Sequence, residues 1–238
     1  MRSSETKGHL ESVYEFMGQV YRGGWQYRFH ETPYMEEAIG RGEKESLLAH
    51  ELGCIGHWFL LRRVCPNLNS LIDSAKLYEI FFVHDLGEIT LGDVSNVAQL
   101  AGKGETKSAD ELLEIEDMIQ SLPERIQKEI REYFTSFENK SGSTDLEMLV
   151  ARFIDQLEGN HFVLTFGKDL PAYSEVINKI LNRKFIARAY QLLKELDTLG
   201  KSEAYNEILA VSLHHFQSFR NAGVNVTISE EFTILMPS

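Results

Sequence analysis

The sequence predicts an all-α protein, and three observations carry that prediction. Apolar residues recur at helical spacing through almost the whole chain. Pro66, Pro123 and Pro171 fall where that periodicity is interrupted. Strand-like alternation of β-branched residues is confined to the tail, VNVTISEEFTILMPS. With 238 residues the chain has ample length for a real core, as one large domain or two small ones. It contains no internal repeat and no low-complexity linker.

Leu10, Val13, Phe16, Met17 and Val20 form the i, i+3, i+4 stripe of a first helix. Residues 22–43 carry the glycines and proline of a loop. A second helix is predicted over 44–64, ending before Pro66, and a third over 70–85 with Asn69 or Ser70 as its cap. GDVSN, 92–96, reads as a turn. A helix over 106–122 is followed by Pro123 in the first turn of the next, to about 138. Residues 139–145 form a loop, and Thr144 with Glu147 makes a capping box for a helix over 144–167. Helices over 172–198 and 202–221 complete the pattern, giving a multi-helix globule rather than a coiled coil. The segment 222–238, with Val224, Val226, Ile228, Phe232, Ile234 and Leu235, is apolar enough to dock on the core or on a second subunit; the core is the default.

The formal net charge of −12 argues against binding a nucleic-acid polymer, which needs Lys and Arg to displace phosphate counterions. A small phosphorylated substrate is compatible with it, because a metal ion inverts the local field. Two cysteines, Cys54 and Cys65, without a CxxC, point to a reducing cytoplasm rather than a disulfide scaffold. No apolar h-region of a signal peptide is read at the N-terminus, and no apolar run approaches the roughly twenty residues of a bilayer span, so no membrane association is expected.

Chemistry concentrates in FFVHDLGEITLGD, 81–93, where an apolar run meets His84, Asp85, Glu88 and Asp93. His50 lies on the second helix, and Asp155 sits among Val150, Phe153, Ile154 and Leu157, where an unpartnered carboxylate is costly. Two imidazoles and two carboxylates make a first shell for one divalent metal, with Mn, Co, Fe, Ni or Zn all acceptable. His84 and Asp85 converge on one ion only if the helix ends there, and Gly87 supports such an end. Taken singly, each histidine is as well explained as a hydrogen-bonded core or surface residue. His57 and His161 are read as core or supporting residues, and His214–His215 as structural or surface residues.

The order His50, His84-Asp85, Asp155 resembles the HD-domain metal-dependent phosphohydrolases, over roughly residues 20–165. HDLGEITLGD resembles the H-D-x-x-E-x-x-x-G-D run of the 5′-deoxynucleotidase-like branch, RGGWQYR its R-x-G-W-x-x-R segment, and DQLE its D-K-L-E. The resemblance implies one domain over 1–238, an HD core at about 20–165 and a C-terminal helical extension at about 170–238. It implies that His50, His84, Asp85 and Asp155 hold one metal, that Glu88 and Asp93 handle protons, that Arg22 pairs with phosphate and that Trp25 packs on sugar or base. Arg28 is read as substrate-facing or as a structural ion-pair partner. The implied activity is release of phosphate from nucleoside 5′-monophosphates, deoxynucleotides included, by an enzyme that resembles homodimers. Hydrolysis of another phosphate ester or of a triphosphate, and a non-catalytic nucleotide-binding module, stay open. Relatives with a two-metal centre typically use extra histidines between the positions of Asp85 and Asp155, and none lies there, so the resemblance implies one metal. Ala49 stands where the branch has an acid, Gln156 where it has lysine, and residues 29–45 form a longer loop, read as reshaping the pocket or covering it as a lid.

Overall fold

A computed structural model describes residues 2–104, 106–139, 144–228 and 232, with side chains from residue 9 onward. In chain order the helices are α1 Arg2–Val20, α2 Glu36–Gly40, α3 Leu47–Val64, α4 Pro66–Asn69, α5 Ser74–Val83, α6 Glu88–Leu91 and α7 Asn96–Leu100. They continue with α8 Lys107–Ile119, α9 Glu124–Glu138, α10 Leu146–Phe166, α11 Ser174–Ile180, α12 Ala187–Thr198 and α13 Ser202–Asn221. Helix α11 runs through a π-helical stretch, Leu181–Ile186, into α12. No strand occurs among the described residues beyond one isolated bridge, Tyr27 to Ser46. No helix among them is long and apolar enough to cross a membrane.

Helix α10 is the axis. Its run of buried apolar residues from Met148 through Ile154 to Leu157 and Val163 lets it pack on α3, α5 and α12 at once. Helices buried on most faces read as apolar all round, and α10 does. A second, smaller cluster joins Phe16 and Val20 of α1 to Ile115, Met118 and Ile119 of α8 and Ile130 and Phe134 of α9.

Two caps differ from expectation. Helix α5 starts at Ser74, capped by Asp73, whose carboxylate accepts from the Ala75 N–H at 2.9 Å. Asn69 instead ends α4, which Pro66 starts. Asp145, not Thr144, caps α10 by accepting from the Met148 N–H at 3.2 Å. Glu147 therefore points outward, where it accepts from the Asp73 N–H at 2.9 Å and pairs with Lys76 at 3.0 Å. One acid thus ties the start of α10 to the start of α5.

The 29–45 segment is not a free flap. Pro33–Met35 forms a 3₁₀ turn leading into α2, and Tyr34, Met35 and Ala38 are buried in the main core. The Lys168 N–H donates to the Tyr34 carbonyl at 2.9 Å. Val224, Val226 and Phe232 of the C-terminal segment are buried in the same core; Ile234 and Leu235 lie outside the described residues.

Candidate metal centre

Three elements deliver the ionisable groups. Ser46 caps α3, accepting from the Ala49 N–H at 3.2 Å, and His50 follows on the first turn. Residues 26–28 run antiparallel to 45–47, with Arg28 N–H donating to the Glu45 carbonyl at 2.8 Å and Leu47 N–H to that of Gln26 at 3.0 Å. This pairing carries Arg28 to the base of α3. Helix α5 ends at Val83, so His84 and Asp85 occupy the turn before α6, the condition their convergence required. Gly87 in that turn lies so close to α8 that a Cβ would meet the Cα and carbonyl of Glu111 at 2.8 Å. Helix α10 supplies Asp155 and, three residues on, Glu158.

The four predicted ligands come together. His50 Nε2 lies 3.1 Å from Asp155 Oδ1 and 3.8 Å from Asp85 Oδ2, and His84 Nε2 lies 3.3 Å from Asp85 Oδ2. The His84 Nδ1–H donates to the Phe81 carbonyl at 2.8 Å, which fixes its tautomer and leaves Nε2 as a lone pair. That nitrogen is buried and has no hydrogen-bond partner. The other histidine is set in the same way, its Nδ1–H donating to Glu158. In the neutral ring, His50 Nε2 is then an acceptor facing an acceptor, the Asp155 carboxylate. Such a contact needs a proton or a cation between the two atoms. His50 accordingly keeps its proton well above the ordinary histidine range: burial and Arg28 oppose the charge, but Cys54, Glu158 and Asp155 outweigh them. Burial pushes Asp155 up, yet the His50 hydrogen bond and the His50 and Arg28 charges hold it well below the usual carboxylate range. The donor set of two imidazoles and two carboxylates fits a divalent cation.

Several members receive no role in the site from the sequence. Glu158 orients His50 in the manner of a carboxylate behind a ligating histidine. Cys54, one turn beyond His50, places its sulfur 3.7 Å from His50 Nε2, and burial raises its thiol to about 12. His50, Cys54 and His84 form one buried group able to hold a metal, and Glu45, His50 and Glu158 another. Gly53 is needed because a Cβ there would run into the Glu158 carboxylate. Gln156 donates to Asp155 Oδ2 at 2.8 Å, steering the carboxylate without adding charge. Gln156 and Glu158 stand in the DQLE match without a role, and the i, i+3 spacing of Asp155 and Glu158 on an apolar helix is a further hint.

Glu88 and Asp93 line the same cavity as His84, Asp85 and Asp155, a space of about 210 Å³. Glu88 is ion-paired at 2.5 Å with Lys107, which also reaches Glu111 at 3.3 Å. Burial and the Asp85 charge push the Glu88 carboxyl well above its ordinary range, against Lys107. Asp93 accepts from the Phe29 N–H at 3.2 Å. Arg28 lines the cavity but is engaged with Glu45 at 3.1 Å and Glu158 at 3.6 Å, and lies 3.9 Å from Asp155. Arg28 is therefore ion-paired while standing on the cavity wall, as each of its two readings allows. Arg22 and Trp25 are not brought to this cluster: both are exposed, Trp25 at 72%, and neither lines the cavity. Lys107, Arg152, Lys184 and Arg188 supply the remaining cations of its wall.

The other histidines sit elsewhere. His57 Nδ1–H donates to the Gly53 carbonyl at 2.8 Å, and its Nε2 meets His161 Nδ1 at 3.2 Å. Both line a separate, largely apolar cavity of about 770 Å³ with His214 and His215. His215 is buried against Phe185 and Phe219, which makes it structural.

The HD domain family matches residues 39–192, well over half of the chain, and the protein belongs to that family. Members bind divalent metals and are in general metal-dependent hydrolases of phosphate esters. The matched stretch begins inside α2, after the RGGWQYR segment, and ends within α12. No curated protein matches the chain.

Proposed function

We propose that this HD-domain protein is a phosphohydrolase that removes the phosphate from nucleoside 5′-monophosphates, deoxynucleotides included, with one divalent metal held by His50, His84, Asp85 and Asp155. The observation that carries the reading is the convergence of four donor groups: His84 Nε2, buried and without a hydrogen-bond partner, lies 3.3 Å from Asp85, and His50 Nε2 lies 3.1 Å from Asp155 and 3.8 Å from Asp85. A divalent ion there would supply Lewis acidity toward a phosphoryl oxygen and toward the attacking water. The rest belongs to the chain. Asp93, held toward the cavity by the Phe29 N–H, orients the water and accepts its proton. Glu88, positioned by Lys107, gives a proton to the leaving oxygen. Arg188 on the cavity wall binds the phosphate, a task its planar fork suits. Glu158, Arg28 and Glu45 form the buried relay that keeps His50 oriented. The reaction needs no nucleic-acid polymer and no membrane, and a homodimer in the cytoplasm is its expected form.

Phosphate release from a panel of ribo- and deoxynucleoside mono- and triphosphates tests this, using protein stripped of metal and reloaded with Mn, Co, Fe, Ni, Zn or Mg. Orthophosphate from monophosphates, lost in Glu88→Ala and Asp93→Ala variants that still bind metal, is the expected result. Tripolyphosphate from triphosphates would replace the substrate class. Full activity in both variants, or silence across the panel with metal bound, would overturn the reading.

A further inference from the structure

The metal cavity does not close on its cationic side. Through Gln99, Gly104, Lys184 and Arg188, which line both, it is continuous with a groove of about 490 Å³. The charged residues of that groove are Lys103, Arg183, Lys184 and Arg188, and no carboxylate lines it among the described residues. This is unexpected on a chain where 36 acids outnumber 24 bases. Lys103 is paired with Glu31 at 2.6 Å. Lys184 and Arg188 donate to the neutral amides of Gln99 and Gln191, at 2.8 and 3.1 Å. Arg183 is exposed on the π-helical stretch, whose altered winding helps bring Arg183, Lys184 and Arg188 to one wall. Gly102 and Gly104, on the same groove, have φ of +85° and +77°, a backbone that glycine adopts without strain, and they flank Lys103.

Four cations lie beside the acidic metal cluster, and Lys184 and Arg188 line both spaces, so the cleft has an acidic half around the ligands and a basic half in the groove. The acidic half suits a metal and the phosphate it activates. The basic half suits a further anion on the same molecule. We infer that the groove is a subsite for a second phosphoryl group, so that the preferred substrate carries one phosphate at the metal cluster and another over Lys103, Arg183 and Lys184. This deepens the phosphohydrolase reading and rests on it. The chemistry is still hydrolysis: water adds to phosphorus, the P–O bond to the leaving group breaks, the leaving oxygen takes a proton and orthophosphate departs. Two substrate types carry the second group, a nucleoside 3′,5′-bisphosphate and a nucleoside 5′-diphosphate.

The test compares kcat/KM for orthophosphate release from a nucleoside 5′-monophosphate, its 3′,5′-bisphosphate and its 5′-diphosphate, in wild type and in Arg183→Gln. One of the doubly phosphorylated substrates should exceed the monophosphate by about tenfold or more, as a charge-assisted contact provides. The variant should shrink that ratio several-fold, through KM, and the substrate that gains identifies the source of the second phosphate. A ratio of one, unchanged in the variant while the monophosphate is turned over, overturns the subsite and leaves the reaction standing. If none of the three is hydrolysed, the earlier reading fails, and calorimetry on the metal-loaded protein still decides the groove. Pyrophosphate binding about tenfold tighter than orthophosphate in wild type, but not in Arg183→Gln, supports it; equal affinities overturn it.

Discussion

His50 shows how much chemistry one side chain draws from its neighbours. Its Nδ1 is committed to Glu158, which in turn meets Arg28 at 3.6 Å, so the orientation of a ligand depends on a relay two residues deep. Glu158→Gln should therefore weaken metal binding by about 10–100-fold without touching any ligand, read by competition with a chelating dye; unchanged affinity would remove Glu158 from the centre. His215 is the opposite case, a histidine whose ring stays neutral. Burial first, then His161, His57 and His214, lowers it to about 3. Its unfolded value is near 6.5, so below that pH the unfolded chain takes up a proton that the folded one refuses. Stability is therefore unaffected above about pH 6.5 and falls as the pH drops toward 3, by up to about 1.4 kcal/mol per unit from this group. His215→Gln should remove that part of the slope in urea titrations across the window, whatever packing it costs at neutral pH.

At the scale of elements, the site depends on where helices stop and how closely they approach. Arg152 of α10 is buried and donates to the carbonyls of Ser136, Phe137 and Asn139 at 2.5, 2.8 and 2.7 Å, satisfying the C-terminal end of α9. Arg152→Met keeps the apolar stem but leaves those carbonyls unpaired. It should cost about 3 kcal/mol and raise amide exchange in the flanking last turn of α9. Gly87 sets a distance. A methyl group there would press on the α8 backbone at Glu111, so Gly87→Ala should destabilise by about 1–3 kcal/mol and lower metal affinity by moving His84 and Asp85. Equal stability and equal affinity in that variant would mean that the turn has slack.

For the whole molecule, the centre lies where α3, α5 and α10 converge, so a metal that binds only the folded chain must stabilise all three together. At a free concentration about 100-fold above Kd the gain is about 2.7 kcal/mol, or about 5–10 °C in Tm for a chain of this size. Thermal melts with and without chelator should show that shift in wild type and none in Asp155→Ala. The 29–45 segment belongs to this scale as well. Tyr34, Met35 and Ala38 anchor it in the main core, so shortening it should lower Tm rather than simply open the cavity.

The sequence by itself determined the helices, because helical periodicity and breakers are local properties. The second, sixth-predicted and final long helices differ from α3, α10 and α13 by at most a few residues. The four-residue cluster was legible only through the resemblance carried by the order His50, His84-Asp85, Asp155 and its flanking residues, because each of these residues taken singly has other uses. The misplaced caps at 69–70 and 144 reflect local competition among neighbouring polar residues that single-sequence patterns resolve poorly. What only the tertiary structure decided is which distant groups meet. Glu158 behind His50, Lys107 on Glu88, Arg28 on Glu45, and Lys184 and Arg188 at the cavity wall all bring together residues that are not neighbours in the chain. The same holds for Arg22 and Trp25, adjacent to Arg28 in sequence yet outside the cavity wall. Charge and hydrogen bonding act through space, and chain order carries no record of who the neighbour will be until the helices have packed.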